Sequence, residues 1–182
     1  MLDVNRLRVI DAVARHGSVT AAAKELHYSQ PSVTHHIARL EAETAQLVAG
    51  QLRRHLPGTD VLSAEQRLGS PDDYCAYPLH AEPDGSFSIV ALVWRPGQVT
   101  RIHDHVTWCV FGVIQGVEHE ELFDADLNLV GRSENQVGDV SGFAPPGDIH
   151  RVHNTAEETA ISIHVYGTDV SRIGSSARRY YD

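Results

Sequence analysis

The chain has 182 residues, 42% of them hydrophobic and 21% charged, with 14 Gly and 8 Pro. This globular composition excludes disorder, collagen and coiled coil, and no apolar run reaches the roughly 18 residues that a membrane span requires. The net charge of −9 lies entirely after residue 46, where ten Lys/Arg face nineteen Asp/Glu, whereas residues 1–46 carry five of each; an acidic body argues against broad phosphate binding.

Two cysteines, Cys75 and Cys109, cannot staple a disulfide scaffold and fit a reducing compartment. The start, MLDVNRLRVID, is charged at once and lacks a signal-peptide apolar core. A cytoplasmic protein, either monomer or homodimer, is the expectation.

Residues 4–48 read as helices. Val4, Leu7, Val9, Ile10 and Val13 give an apolar face, which Gly17 and Ser18 interrupt as a helix stop and a fresh N-cap would. Ala21, Ala22, Ala23 and Leu26 make a short second helix. After the break at Tyr28 and Ser29, Pro31 falls in the first turn of a third helix, where its missing N–H costs nothing. Val33, Ile37, Leu40 and Leu47 supply the buried stripe of that helix. Three short helices with a tight turn between the second and third suggest a helix-turn-helix. Leu47 to Leu56 continues as helix up to Pro57-Gly58. Ser63 to Gln66 reads as a capping box, and 69–73 as a linker. The expected division is a helical head over 1–46, a helical connector over 47–73 and a β domain over 74–182.

From Tyr74 the texture changes. Residues 86–94, 108–114, 118–123, 128–134, 137–143 and 160–166 read as strands separated by turn residues, which predicts an all-β sandwich or barrel. His119, flanked by Glu118, Glu120 and Glu121, is expected on a solvated strand edge. Cys75 reads as an apolar filler, Trp94 and Trp108 as core, and His80 and His153 as marginal candidates for a pocket wall.

A single His is more often a solvent-facing or hydrogen-bonded residue than a ligand. Here spacing decides. His103-Asp104-His105 puts two imidazoles on one face of an extended chain, so both can reach one metal. Pro145-Pro146-Gly147-Asp148-Ile149-His150 sets a third after another tight turn. Three neutral imidazoles leave one face of an octahedral metal open; Fe(II) suits such a set, and zinc would accept three His plus water.

Two blocks carry a family resemblance. One is Gly97-x5-His103-x-His105-x3-Cys109-x6-Gly116, and the other is Pro145-x-Gly147-x2-His150-x3-Asn154. They resemble the two cupin motifs, with Cys109 in place of the usual Glu ligand and Gly138 one residue too far upstream. Together with Arg151-Val152-x-Asn154 and Ser162-Ile163-His164-Val165-Tyr166, they resemble the thiol dioxygenases, the family of cysteine and 3-mercaptopropionate dioxygenases. The resemblance covers about 74–182. It implies a mainly β cupin barrel, Fe(II) held by His103, His105 and His150, and oxidation of a small thiol by O2 to its sulfinate. It also implies Tyr166 near the reacting oxygen, oriented by His164 and then Ser162, with Cys109 at the position some members link to the tyrosine. Members carry Arg or Gln in a Tyr-x-Arg segment as the substrate anchor, but here Tyr74-Cys75-Ala76-Tyr77 places Ala76 there. Arg172, then Arg178 and Arg179, are the expected replacements.

The head resembles LysR-type regulators through Arg15-His16-Gly17-Ser18, Ala21-Ala22-Ala23, Ser29-Gln30-Pro31-Ser32-Val33 and Ile37-x-Arg39-Leu40-Glu41. The resemblance implies DNA as a partner. Ser29, Gln30, Ser32, His35 and His36 would face the major groove, and Arg39 a phosphate. The wing and dimerising helix of that family do not follow Glu43. The head is therefore open to three readings: a working DNA-binding module, a helical cap on an enzyme, or a fusion or start-site artefact. A thiol- or metal-responsive regulator with the cupin as sensor is the alternative function.

Overall fold

The computed structural model describes residues 4–181, which fall into two compact units dividing between Thr44 and Ala45. In the first unit, α1 (Val4–His16) and α2 (Val19–Leu26) precede α3, which runs from Gln30 to His55. The Ser18 hydroxyl accepts the Ala21 N–H at 3.3 Å and so caps α2. The Ser29 hydroxyl accepts the Ser32 N–H at 3.3 Å and does the same for α3. Val9, Ala23 and Val33, one from each helix, form the buried centre of this unit, with Val13, Val19, Leu26 and Ile37 packed around them. The three-helix head is therefore an independently cored helix-turn-helix.

The second unit opens with the end of α3 and two single turns of 3-10 helix. Ser63 and Gln66 make the reciprocal pair of the expected capping box, at 2.8 and 3.2 Å. The strands are β1 (Cys75–Ala81), β2 (Ser88–Trp94), β3 (His103–His105), β4 (Cys109–Gln115), β5 (Val117–Phe123), β6 (Leu129–Gln136), β7 (Val140–Phe143), β8 (His150–His153), β9 (Ala160–Tyr166) and β10 (Ala177–Tyr180), with the short helix α4 (Val170–Ile173) before the last. They form two five-stranded sheets, in the orders β1-β2-β9-β4-β7 and β10-β3-β8-β5-β6. The strand pairs are antiparallel throughout. This is the cupin architecture expected from the sequence.

Strands β2 and β9 are almost continuously buried because both faces are covered. Val90, Leu92, Trp94, Cys109, Val152 and Tyr166 meet between the sheets. Ala91, Val93, Ile161 and Ile163 point outward beneath Leu52 and Leu56 of α3 and Leu62 of the connector. Trp94 is core as expected, Trp108 is half-buried, and Cys75 packs at the margin of the outer cluster.

The structure corrects one reading of β5. The strand lies between β8 and β6 rather than at an edge, and Glu118, Glu120 and Glu121 are all buried. Alternation turns Glu118 and Glu120 into the barrel and His119 outward, where it meets Thr155 and His153.

Candidate metal centre

His103 and His105 come from β3, a strand of three residues, and His150 opens β8 directly opposite His103. Alternation along β3 aims both of its imidazoles inward and sends Asp104 the other way. Each of the three His offers a ligand atom, and these atoms lie within 4.8 Å of one another. The ring centroids are 4.7–4.9 Å apart.

The far nitrogen of every ring is held by an acceptor. His103 Nδ1 lies 2.9 Å from the Arg101 carbonyl, His105 Nδ1 lies 3.1 Å from Asp148 Oδ2, and His150 Nδ1 lies 2.5 Å from Glu120 Oε1. Carbonyl and carboxylate oxygens only accept, so each Nδ1 carries the proton and donates it. Each Nε2 is left with a lone pair turned to the common centre. His150 Nε2 is buried with no hydrogen-bond partner, the state of a ligand atom reserved for a cation. Burial, reinforced by His150 and His105, lowers His103 to about 3, and burial also lowers His105. Burial alone would raise Asp148, but the hydrogen bonds from His105 outweigh it and hold the carboxylate below its ordinary range. The donor set is thus three imidazoles backed by one carbonyl and two carboxylates, which fits a divalent transition metal.

On β9, Ser162, His164 and Tyr166 share the inner face. Ser162 Oγ is 2.9 Å from His164 Nε2, and Tyr166 Oη is 3.3 Å from His164 Nδ1. Burial lowers His164 to about 3, so its ring is neutral. Burial pushes the Tyr166 phenol and the Cys109 thiol well up, so both stay protonated. Cys109 is the direct cross-strand partner of Tyr166, and its Sγ lies 3.8 Å from His164 Nδ1.

A cavity of about 430 Å³ has on its wall His103, His105, His150, His164, Tyr166, Phe143, Trp94 and Tyr74. Ala76 is on the wall as well. The expected anchors Arg172, Arg178 and Arg179 are not. Arg172 is turned to Asp169 at 3.0 Å and to the Pro83 carbonyl at 3.0 Å. Arg179 is paired with Asp104 on the outward side of β3, and Arg178 is exposed. Arg101 is a wall residue, and its guanidinium stacks 4.5 Å over the Tyr180 ring. It lies two residues before His103, a spacing that was readable but carried no signal by itself. Neither His80 nor His153 reaches the cavity. Asn154, the last residue of the second motif, is buried and donates to the Trp94 and Glu158 carbonyls, so it ties the β8–β9 connection to β2.

In the head, Ser29, Gln30 and His35 are exposed, and Ser32 and His36 half-exposed, around the start of α3. Gln30 donates to Thr20 Oγ1 at 2.8 Å. Among the described residues, no helix is long and apolar enough to cross a membrane.

Comparison with known proteins matches residues 73–179 to the family of cysteine dioxygenase type I, and residues 4–47 to the bacterial regulatory helix-turn-helix proteins of the LysR family. Cysteine dioxygenase type 1 of Danio rerio is 31% identical over 94 residues, which is 47% of this chain and 47% of the zebrafish protein. The chain thus spans about half the length of the cysteine dioxygenases it matches. A RuBisCO operon transcriptional regulator of Allochromatium vinosum is 52% identical over 42 residues, covering 23% of this chain and 14% of the regulator. A protein with a double-stranded β-helix domain from Klebsiella pneumoniae superposes with a TM-score of 0.48 at 18% identity, over 59% of this chain and 88% of that one. The family match spans both strands that carry the three histidines and the whole of β9, and on it the chain belongs to the type I cysteine dioxygenase family, with a LysR-type helix-turn-helix ahead of the barrel.

Proposed function

We propose that the chain is an Fe(II)-dependent thiol dioxygenase that converts a small thiol and O2 into the sulfinate. The observation that carries this reading is the convergence of three Nε2 lone pairs, with no carboxylate among them, beside a buried phenol. Iron(II) held by His103, His105 and His150 would supply open positions and the one-electron steps that let dioxygen react with a thiolate. The substrate thiol gives up its proton, both oxygen atoms end on sulfur, and the four electrons lost by sulfur reduce O2, so no external reductant is consumed. A substrate thiolate would bring the negative charge that an all-imidazole donor set lacks.

The chain's own residues hold and orient. Tyr166 presents its hydroxyl to the cavity as a donor, and His164 and Ser162 fix its direction. Phe143, Trp94 and Leu92 line the site with apolar surface that limits water. The wall lacks the usual anchor at Ala76, so the substrate is left as a small thiol of unspecified charge. Cys109 and Tyr166 stand in register for a thioether: the S–H and one ring C–H are lost as C–S forms, and dioxygen takes up the two protons and two electrons. After turnover the intact mass should be lighter by two hydrogens in the native chain and unchanged in Cys109→Ala; equal masses in both would reject the link.

The test of the function is oxygen uptake by anaerobically iron-loaded protein across cysteine, 3-mercaptopropionate, cysteamine and mercaptosuccinate, with the sulfinate assayed. Uptake coupled to sulfinate with at least one of these thiols is the expected result, and cysteamine, which lacks the carboxylate, shows whether an acid group is required. No uptake with any of them, despite bound iron, would reject this reading and favour the second one.

That second reading is a thiol- or metal-responsive regulator, motivated by the intact helix-turn-helix and its exposed α3 start. Gel shift on the gene's upstream region at fixed salt, with and without iron and thiol, tests it. No shift under any condition would end it.

A further inference from the structure

Glu118 is the charge that the site does not yet use. Its relative exposure is 0%, and both carboxyl oxygens are buried without a hydrogen-bond partner of ordinary length. It projects from β5 toward the inner face of β9, with Oε1 3.9 Å from His164 Nε2 and the Ser162 hydroxyl alongside. Among the described residues, no arginine or lysine is paired with it. The titratable groups that face it are His164 and Tyr166 on β9, Cys109 on β4, and Glu120 on its own strand. The first three are neutral, and Glu120 is taken up by His150.

Such a carboxyl would be costly as a passive part of a barrel wall, where an apolar side chain of the same size would serve better. Its position instead makes it the fourth member of a chain that runs Glu118, Ser162, His164, Tyr166. We propose that Glu118 is a positioning residue that selects the tautomer of His164 through Ser162, and with it the direction of the Tyr166 hydroxyl proton.

The two states follow from donor and acceptor bookkeeping. A protonated Glu118 donates to Ser162 Oγ, and the Ser162 hydroxyl donates to His164 Nε2. The ring proton then sits on Nδ1 and donates to Tyr166 Oη, which leaves the phenol O–H on the cavity side, where Ser176 is its neighbour. An ionised Glu118 accepts the Ser162 O–H. His164 Nε2–H then donates to Ser162 Oγ, and the bare Nδ1 accepts the Tyr166 O–H, which turns away from the cavity. Only protons move, and one proton leaves Glu118 for solvent. Burial raises this carboxyl to about 7, so both states are accessible near neutrality. The link to thiol oxidation rests on the dioxygenase reading; the tautomer coupling does not.

The test uses the metal-free, substrate-free full chain labelled with 15N histidine, so its outcome is independent of iron and of turnover. The His164 ring nitrogens are followed from about pH 6 to about pH 8, and the buried carboxyl stretch of Glu118 is followed by infrared spectroscopy. The expected result is an exchange between the two neutral tautomers of His164 whose midpoint coincides with loss of the carboxyl band. Glu118→Gln and Ser162→Ala should each abolish the exchange. A native His164 that keeps one tautomer throughout overturns the proposal, as does an exchange offset from the carboxyl band or one that persists in a folded Glu118→Gln. The native chain alone decides the matter if a variant does not fold.

Discussion

Asp148 and Glu120 do for His105 and His150 what the Arg101 carbonyl does for His103: they pin the proton on Nδ1 and turn Nε2 to the centre. Removing that charge should loosen the metal without removing a ligand. Asp148→Asn and Glu120→Gln should each weaken metal affinity by about 10- to 100-fold in chelator competition, while His105→Ala abolishes stoichiometric binding. Unaltered affinity in both conservative variants would mean the carboxylates only fill space. The same buried groups predict how metal-free protein responds to acid. His103 and His164 titrate at about 3 folded against an ordinary 6.5. Below 6.5 the unfolded chain therefore takes protons that the folded one refuses, and stability falls as pH drops toward 3. Glu118 acts oppositely, at about 7 folded against an ordinary 4.5; between those values the folded chain keeps a proton that the unfolded one has released. These two imidazoles against this one carboxyl contribute a loss of about 1.4 kcal/mol per pH unit from 6.5 down to 4.5 and about 3 kcal/mol per unit from there toward 3, and the lowered His105 and Asp148 act in the same direction. Urea midpoints should decline along this course. A midpoint as high near pH 5 as near pH 7 would contradict neutral buried imidazoles.

The turns between strands carry as much of the site as the strands do. Gly116 joins β4 to β5 at φ +68°, and an added Cβ would stand 2.9 Å from the Ala160 Cα and the Thr159 carbonyl oxygen. Backbone cannot yield as a side chain can. Gly116→Ala therefore combines left-handed strain with overpacking, and should cost about 2–4 kcal/mol in denaturant unfolding. A cost below about 1 kcal/mol would show that the turn can re-form. The glycine was visible as the end of the first motif, but its reason, the close approach of β9, is a tertiary fact. The same limit governs what was legible elsewhere. β9 is legible as 160–166 because β-branched Ile161, Ile163 and Val165 alternate along it, and the three histidines because ligand spacing is local. β1, β8 and β10 carry no such pattern. β1 is an exposed edge strand with Pro78 at a bulge, and β8 and β10 have four residues each. Glu118 and Glu120 read as solvated because acidic clusters usually are; the alternation that turns them inward matters only once β5 is known to be a central strand. Arg172 and Arg179 looked available because their partners, Asp169 and Asp104, are satisfied by packing that spacing does not reveal.

At the scale of the whole chain, the division between Thr44 and Ala45 falls inside α3, so one helix serves two cores. Its first half contributes Val33 and Ile37 to the head. Its second half contributes Leu52 and Leu56 to the cover of the outer sheet face, over Ala91, Val93, Ile161 and Ile163. Arg53 adds a hydrogen bond to the Val140 carbonyl at 2.8 Å. Two truncations separate these roles. A chain starting at Ala45 keeps the whole barrel cover and should unfold cooperatively, bind metal and turn over thiol close to the native rate, since each residue assigned to the site lies beyond it. A chain starting at Gly58 loses Leu52 and Leu56, both half-buried and so worth about 1 kcal/mol each, and uncovers the apolar face of Ala91, Val93, Ile161 and Ile163. It should unfold at markedly lower denaturant and aggregate. If the Ala45 chain folds and binds iron but loses thiol oxidation, the helix-turn-helix takes part in catalysis and the barrel is not the complete enzyme. If it keeps full activity while the native chain alone shifts DNA, the two cores carry separate functions joined by a shared helix.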